Sequence, residues 1–411
     1  MLEIHFAGEE GALAQAFSGV RVLDFTQVLA GPFGVMQLAV LGADVIKVEQ
    51  PGTGDQTRGL MSDQNDGMAP SFLTCNVNKR SIAIDLKSDE GRRLALKLAA
   101  TCDVVVENFK AGVIGRLGLG YDDIREVRPD VIFCSVSGYG QTGPKAGVGA
   151  YDGAIQAASG MMSQTGFPET GPTRTGYMPV DMTTALNTAL AISAALYRRQ
   201  VTGEGQFIDV AMMDTAIVAQ AAQFSNYLNS GRLIGLGGNH SPTGQPTADV
   251  FPTADGHLQI TALRDAQVEA LFDVLGHPEQ LEDPAFADIP SRIGNAEMVR
   301  TFVADAMRTE PTAHWLDALA ARGVPVAEVR TLPEVVQDPQ LQNREVLERI
   351  PSPLDPDEEI TIVKAGYLTD RDGPSVRRGP PRLGEHTNEI LAELGMPDED
   401  VERLARTGVI A

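Results

Sequence analysis

Apolar positions in the first half of the chain follow two alternating rhythms. The short runs "GVRVLDFT", "ADVIKVEQP", "RSIAIDL", "DVVVENF" and Val131 to Val136 read as buried strands. Between them, "GPFGVMQLAVLG" and "KSDEGRRLALKLAATC" repeat at helical spacing. In the second of these, Ser88 followed by Asp89 and Glu90 has the composition of an N-cap and an acidic first turn. Strands alternating with crossover helices predict right-handed βαβ units and a mainly parallel sheet. Such sheets bind ligands beyond the carboxyl ends of their strands. The loops Thr26 to Gly31, Gln50 to Gly59, Asn108 to Gly112 and Gly138 to Gly143 are therefore the places where a site is expected.

The texture changes at "NSGRLIGLGGNHSPTGQP", which reads as a glycine-rich connector over residues 229–246. Beyond it, "ADVFPTADGHLQITAL" predicts a hairpin, and Asp265 to Gly323 predicts two or three helices. The terminal "RRGPPRLGEHTNEILAELG" predicts a loop and one amphipathic helix. The expected organisation is a large domain over 1–228, the connector, a small α+β domain over 247–329, and a return segment over 330–411.

The chain has 411 residues, enough for a substantial core, and a formal charge of -22, which weighs against general attraction to nucleic acid or anionic lipid. Three widely spaced cysteines, Cys75, Cys102 and Cys134, fit neither a disulfide framework nor a zinc site and point to a reducing cytoplasm. No apolar run is long enough to span a bilayer, and the opening "MLEIHFAGEEGALAQAF" carries acids instead of a basic leader. A soluble, unexported protein without membrane or nucleic-acid partners is expected.

Glycine pairs occur in "GTGDQTRG" and "GLGLGYDD", but neither forms a dinucleotide fingerprint between strand and helix. No G-x-S-x-G and no metal-binding histidine spacing is present. Arg58, Lys79, Arg80, Lys87 and Arg116 lie near predicted loops, where they are either phosphate partners or solvated surface charges. Tyr151, after a glycine-bearing loop, reads as a half-buried tyrosine with its hydroxyl paired. Asp181 is the only acid in "GYMPVDMTTALNTALAISAALYRR" and precedes a long helical pattern. It reads either as a cap or as a carboxylate nucleophile that the helix N-terminus keeps ionised, and such a nucleophile needs no histidine to activate it.

Several segments, in order, resemble the family III CoA-transferases: "VLDFTQVLAGPFGVMQLAVLGADVIKVEQPGTGDQTRG", "NVNKRSIAIDLKSDEG", "VVVENFKAGVIGRLGLGYDDI", "YDGAIQAASG", "VDMTTALNTALAISAALYRRQVTGEGQFIDVAMMD" and "PPRLGEHTNEIL". The family includes formyl-CoA transferase and carnitine CoA-transferases, with alpha-methylacyl-CoA racemase on the same fold. The resemblance implies an α/β fold with a large Rossmann-like domain built from both chain ends, a smaller inserted α+β domain, and a homodimer whose chains interlock. It implies that Asp181 attacks an acyl-CoA thioester, giving an aspartyl anhydride and then an aspartyl-CoA thioester from which a carboxylic acid acceptor takes the CoA. No cofactor is implied beyond coenzyme A as substrate.

The resemblance also carries over contacts. Val28, Leu29, Ala30, Gln50, Lys87, Asn108, Phe109, Arg116 and Tyr151 fall at CoA-binding positions, and Gly237, Gly238, Asn239 and His240 at the position of a substrate loop. Leu29 stands where formyl-CoA transferase has a glutamine, Gln50 where it has an arginine and Gly149 where it has a lysine; the last two departures remove positive contacts. The racemase alternative would require a histidine base where Tyr151 stands, and tyrosine is a poor base at neutral pH. A CoA-binding protein without catalysis is a third reading, against which Asp181 argues.

Overall fold

The structure is a computed structural model that describes residues 15–60 and 67–411. The amino-terminal stretch read above for a leader therefore lies almost wholly outside the described residues. The chain forms two compact units. The first comprises Met1–Ser159, Thr175–Phe224 and Gln340–Ala411, and the second Gly160–Arg174 and Ser225–Pro339. Residues 160–174 thus cluster with the second unit, although they stand inside the stretch read as the large domain, and the return to the first unit begins at Gln340.

In the first unit six strands form one sheet: β1 (Arg21–Asp24), β2 (Asp44–Glu49), β3 (Lys79–Ala83), β4 (Val104–Glu107), β5 (Ile132–Ser137) and β6 (Gln206–Ala211). Their order is β3-β2-β1-β4-β5-β6 and every neighbouring pair is parallel. The winding direction reverses between β1 and β4, which opens a crevice beyond their carboxyl ends. Alternate side chains feed two cores. Val22, Val104, Val106, Ile132 and Cys134 pack with α1 (Ala30–Ala39) on one face, whereas Leu23, Val105 and Phe133 pack with α2 (Asp89–Ala99) on the other. The Ser88 hydroxyl accepts the Gly91 N–H at 3.0 Å, so α2 starts where its sequence predicts.

Further helices of this unit are α3 (Tyr121–Val127), α4 (Asp152–Ala158), the 24-residue α5 (Pro179–Thr202) and α6 (Met212–Ala219), which follows β6. In the second unit, β7 (Ala248–Pro252) and β8 (His257–Thr261) form the expected antiparallel hairpin, extended by β9 (Val326–Glu328). Helices α7 (Asp265–Val274), α8 (Ala296–Met307) and α9 (Thr312–Ala321) cover it, around Phe251, Leu258, Phe272 and Trp315.

The last segment of the first unit departs from expectation twice. A hairpin of β10 (Leu347–Pro351) and β11 (Glu359–Val363) forms there, and the terminus carries two helices, α10 (Thr387–Glu393) and α11 (Asp398–Arg406), instead of one. Gly395, with φ 68°, and Pro397 break the helical pattern between them. No described helix is both long and apolar enough to cross a membrane.

Helices α1 and α5 approach closely at Gly34, where an added Cβ would stand 2.8 Å from the Ala185 carbonyl oxygen and 3.1 Å from the Thr188 Cβ. Backbone cannot yield as a side-chain tip can. Gly34→Ala is expected to lower the unfolding free energy by about 1–3 kcal/mol through overpacking, read as a shifted urea midpoint.

Candidate active site

Side chains tie down the backbone of the strap that follows β1. Asp24 Oδ1 accepts the Thr26 N–H at 2.9 Å, and Lys47 Nζ donates to the Thr26 carbonyl at 2.7 Å. Asn108 brackets Gln27, accepting its N–H at 2.8 Å and donating to its carbonyl at 2.7 Å. Asp55 Oδ1 accepts the Val28 N–H at 3.2 Å while its Oδ2 takes the Lys47 ammonium at 2.9 Å. These bonds hold Val28 at φ 71°, a left-handed conformation that costs a β-branched residue on the order of 1–3 kcal/mol.

The tethers are charged and buried. Burial alone would depress the Lys47 ammonium, yet the Asp55, Asp24 and Glu49 carboxylates around it hold its pKa above the ordinary value. Lys79 Nζ bonds Asp24 Oδ2 at 2.8 Å, and Arg58 forms a two-pronged pair with Glu49 at 2.6 and 2.7 Å. Arg80 pairs with Asp44, Glu389 and Glu393. Of the residues read from sequence as phosphate partners or surface charges, Arg58 and Lys79 are internal counter-ions, and Arg80 is engaged by three part-exposed acids at the rim of a cleft.

The strap forms one wall of a cavity of about 600 Å³ beyond β1, β4 and β5. Its lining brings together Val28, Leu29, Ala30, Asn108, Phe109, Tyr151 and Asp181 from the carried-over positions, and adds Gln56 and Lys110. Gln50, Lys87 and Arg116 are exposed and do not line it. Tyr151 is 69% exposed, and no hydrogen bond of its hydroxyl is found among the described residues, which corrects the half-buried, paired reading. Gly237, Gly238, Asn239 and His240 belong to the second unit, where Asn239 and His240 line a cleft of about 290 Å³ with Arg300 and Asp249.

Sequence reasoning marks the loop Asn108 to Gly112 as a place for a site but does not single out Lys110 within it. A Cβ at Gly149 would stand 2.7 Å from Lys110 Cε and 3.1 Å from its Nζ. The ammonium of Lys110 therefore reaches the space beside Gly149, where the sequence reads as having lost a cation.

Asp181 is the third residue of α5, and the structure reverses the electrostatics expected for it. The first-turn amides are all accounted for: Pro179 has none, Met182 N–H bonds the Met178 carbonyl at 3.1 Å, and the Val180 and Asp181 N–H groups both donate to Asp152 Oδ2, at 2.9 and 3.1 Å. The cap of α5 is thus Asp152, from the start of α4. The Asp181 carboxylate accepts no hydrogen bond among the described residues, and burial together with the Asp152 charge pushes its pKa up to about 7. Glu107, beneath Phe109, is also pushed by burial to about 7, although its carboxylate accepts the Ser135 hydroxyl and the Phe109 N–H. Among the described residues no cluster of His, Cys, Asp and Glu is disposed to hold a metal ion.

The sheet order and the crevice at its switch point define a doubly wound α/β protein with a carboxylate-bearing cavity. The family model of CoA-transferase family III matches residues 17–387, and the chain belongs to that family and is a CoA-transferase. It is 36% identical over 394 residues to a succinate–glutarate CoA-transferase of Agrobacterium fabrum, covering 94% of this chain and 97% of that protein. It is 39% identical over 389 residues to a succinyl-CoA:mesaconate CoA-transferase of Haloarcula hispanica, covering 93% and 97%. A crystal structure of a CAIB/BAIF family protein from Brucella suis superposes with a TM-score of 0.84 at 34% identity, covering 93% of this chain and all of that one.

A carboxyl group whose pKa is higher in the folded than in the unfolded chain favours folding while protonated. That contribution is lost as pH rises from the unfolded value of 3.8 through about 7. Asp181→Asn is therefore expected to stabilise the protein above neutrality by a few kcal/mol, since each tenfold change in proton affinity is worth about 1.4 kcal/mol. The gain should vanish near pH 4, and denaturant titrations across that range measure it.

Proposed function

We propose that this enzyme moves CoA from an acyl-CoA donor to a carboxylic acid acceptor, with Asp181 as the nucleophile. An Asp181 oxygen attacks the thioester carbonyl, the C–S bond breaks, and CoA leaves as the thiolate, giving an acyl-aspartyl anhydride. The thiolate attacks the Asp181 carbonyl carbon and expels the donor acid, leaving an aspartyl-CoA thioester. The acceptor carboxylate attacks that thioester, and the returning thiolate takes the acceptor acyl group and frees Asp181. Each step exchanges only carboxylate, thioester and thiolate, so atoms and charge balance without another reactant.

The observation that carries this reading is a carboxylate in the cavity with no hydrogen bond to spend and a raised pKa. Such a group is a stronger nucleophile than a capped aspartate. The strained strap of Val28, Leu29 and Ala30, with Asn108 and Phe109, is proposed to receive the pantetheine end of CoA, and Lys110 one of its phosphates. Tyr151 occupies the place where a racemase would need its second base, and this favours transfer. The named relatives act on glutarate and mesaconate, so a short dicarboxylic acid is the proposed acceptor.

We also infer a homodimer. On α5, Leu186, Leu190, Tyr197 and Val201 are 54%, 67%, 73% and 69% exposed. Their spacing of four, seven and four residues aligns them on one helical ridge, which a soluble monomer has little reason to leave bare. Sedimentation should give twice the 43.8 kDa chain mass; a monomer at micromolar concentration would contradict the inference.

Incubation with succinyl-CoA should leave a covalent adduct on the Asp181 peptide, found by mass spectrometry and absent in Asp181→Asn, which should lose turnover. Persistent turnover in that variant would refute the nucleophile. Because attack requires the ionised form, the rate of adduct formation should rise with pH through about 7 and level off above it.

A further inference from the structure

A carboxylate at the third position of a helix normally draws stabilisation from the free amides and positive end of that helix. Asp181 stands at that position in α5 yet accepts no hydrogen bond among the described residues, and the Val180 and Asp181 amide protons end on Asp152 Oδ2 instead. Asp152 is itself firmly held. It is 5% exposed, its Oδ1 accepts from the Gln156 side-chain amide one turn along α4, and Gln156 Oε1 accepts the Thr175 N–H at 3.1 Å. Asp152 is also the first residue of α4, so the amino ends of two helices meet at one carboxylate.

We propose that Asp152 is the positioning residue that makes Asp181 a nucleophile instead of a helix cap, by taking both amide protons of the first turn of α5 and setting a negative charge beneath it. This rests on the assignment of Asp181 as nucleophile and adds what activates it. The same residue does two things that a single cap could not. It satisfies the backbone of α5, which keeps the helix start intact, and it denies those donors to the neighbouring carboxylate. Asp181 is left with only the cavity in front of it, and the substrate thioester is the first electrophile it meets.

Other titratable groups are present nearby. Lys110 and Tyr151 line the same cavity, and the buried Cys75 thiol lies within range of the Asp181 charge. On the elements packed against α5, β5 carries Cys134, β6 carries Asp209 and α6 carries Asp214, while α1 carries no titratable side chain. None of them hydrogen-bonds the first turn of α5. Glu107 shares the pH range of Asp181 but spends its bonds on Ser135 and Phe109.

The test compares wild type, Asp152→Asn and Asp152→Ala. The Asp181 carboxyl is titrated without substrate by carbon-13 NMR, with Asp181→Asn identifying the resonance, and the rate of Asp181 adduct formation from succinyl-CoA is followed across the same pH series. Asp152→Asn keeps the shape and one acceptor but removes the charge; it should lower the titration midpoint by about one pH unit and carry the acid limb of the rate with it. The rate above the limb should fall a few-fold as the nucleophile becomes less basic. Asp152→Ala should shift both in the same direction and also lower the melting temperature. A lower melting temperature with an unmoved midpoint would reduce Asp152 to a cap and overturn the proposal. The NMR titration needs no substrate, so it decides the role of Asp152 independently, whereas a missing adduct in wild type would instead overturn the assignment of Asp181 as nucleophile.

Discussion

The pair of Lys47 and Asp55, buried at the carboxyl edge of the sheet, is the interaction on which the rest of the site depends. One end of Asp55 holds the ammonium and the other the Val28 amide, while the same ammonium holds the Thr26 carbonyl. The backbone of the strap is thereby locked to β2 and to the turn that carries Asp55. Such a pair contributes little to net stability, but losing one member would strand the other charge in the interior at a cost of about 3–5 kcal/mol. It can hold Val28 in a left-handed conformation because its own disruption costs more than the strain it maintains.

The site built on this base sets two carboxylates, adjacent in space, to opposite uses. Asp152 collects the helix amides and Asp181 receives none, so their difference lies in donor supply and not in residue type. Burial then raises Asp181, with the Asp152 charge adding to the effect. A buried carboxylate without a hydrogen bond at the start of α5 is a local sacrifice of stability, and the long helix, packed along α1 through Gly34 and Thr188, carries it.

Much of the fold is legible in the chain because strand and helix periods are local. The consecutive valines of "DVVVENF" can be buried on both sides only within a sheet covered on both faces, and Ser88 with its two acids marks a helix start by short-range bonds alone. The segment read as a loop and one terminal helix ends at Gly395 and forms that helix, whereas the second helix, Asp398–Arg406, lies beyond the Gly395 and Pro397 stop and outside that reading. In the cavity, Val28, Asn108, Phe109 and Asp181 are named through resemblance, whereas Lys110, in the same segment as Asn108 and Phe109, is not singled out. Its ammonium meets the site through the space above Gly149, a contact across 39 residues that no local pattern encodes.

By itself the sequence determined the alternation that makes a parallel sheet, the family, and the presence of one acid at the head of a long apolar helix. It could not determine what that acid does. Helix-terminal physics, applied locally, predicts an ionised, stabilised Asp181, and that expectation fails because burial takes water from its carboxylate and the charge of Asp152, 29 residues away and bonded to the first-turn amides, opposes its own. Arg58 and Lys79 changed meaning for the same reason, becoming interior counter-ions once Glu49 and Asp24 were folded against them. Periodicity follows from a residue's own neighbours in the chain. Proton affinity follows from which charges and donors remain nearby when water is removed, and only the tertiary structure decides that.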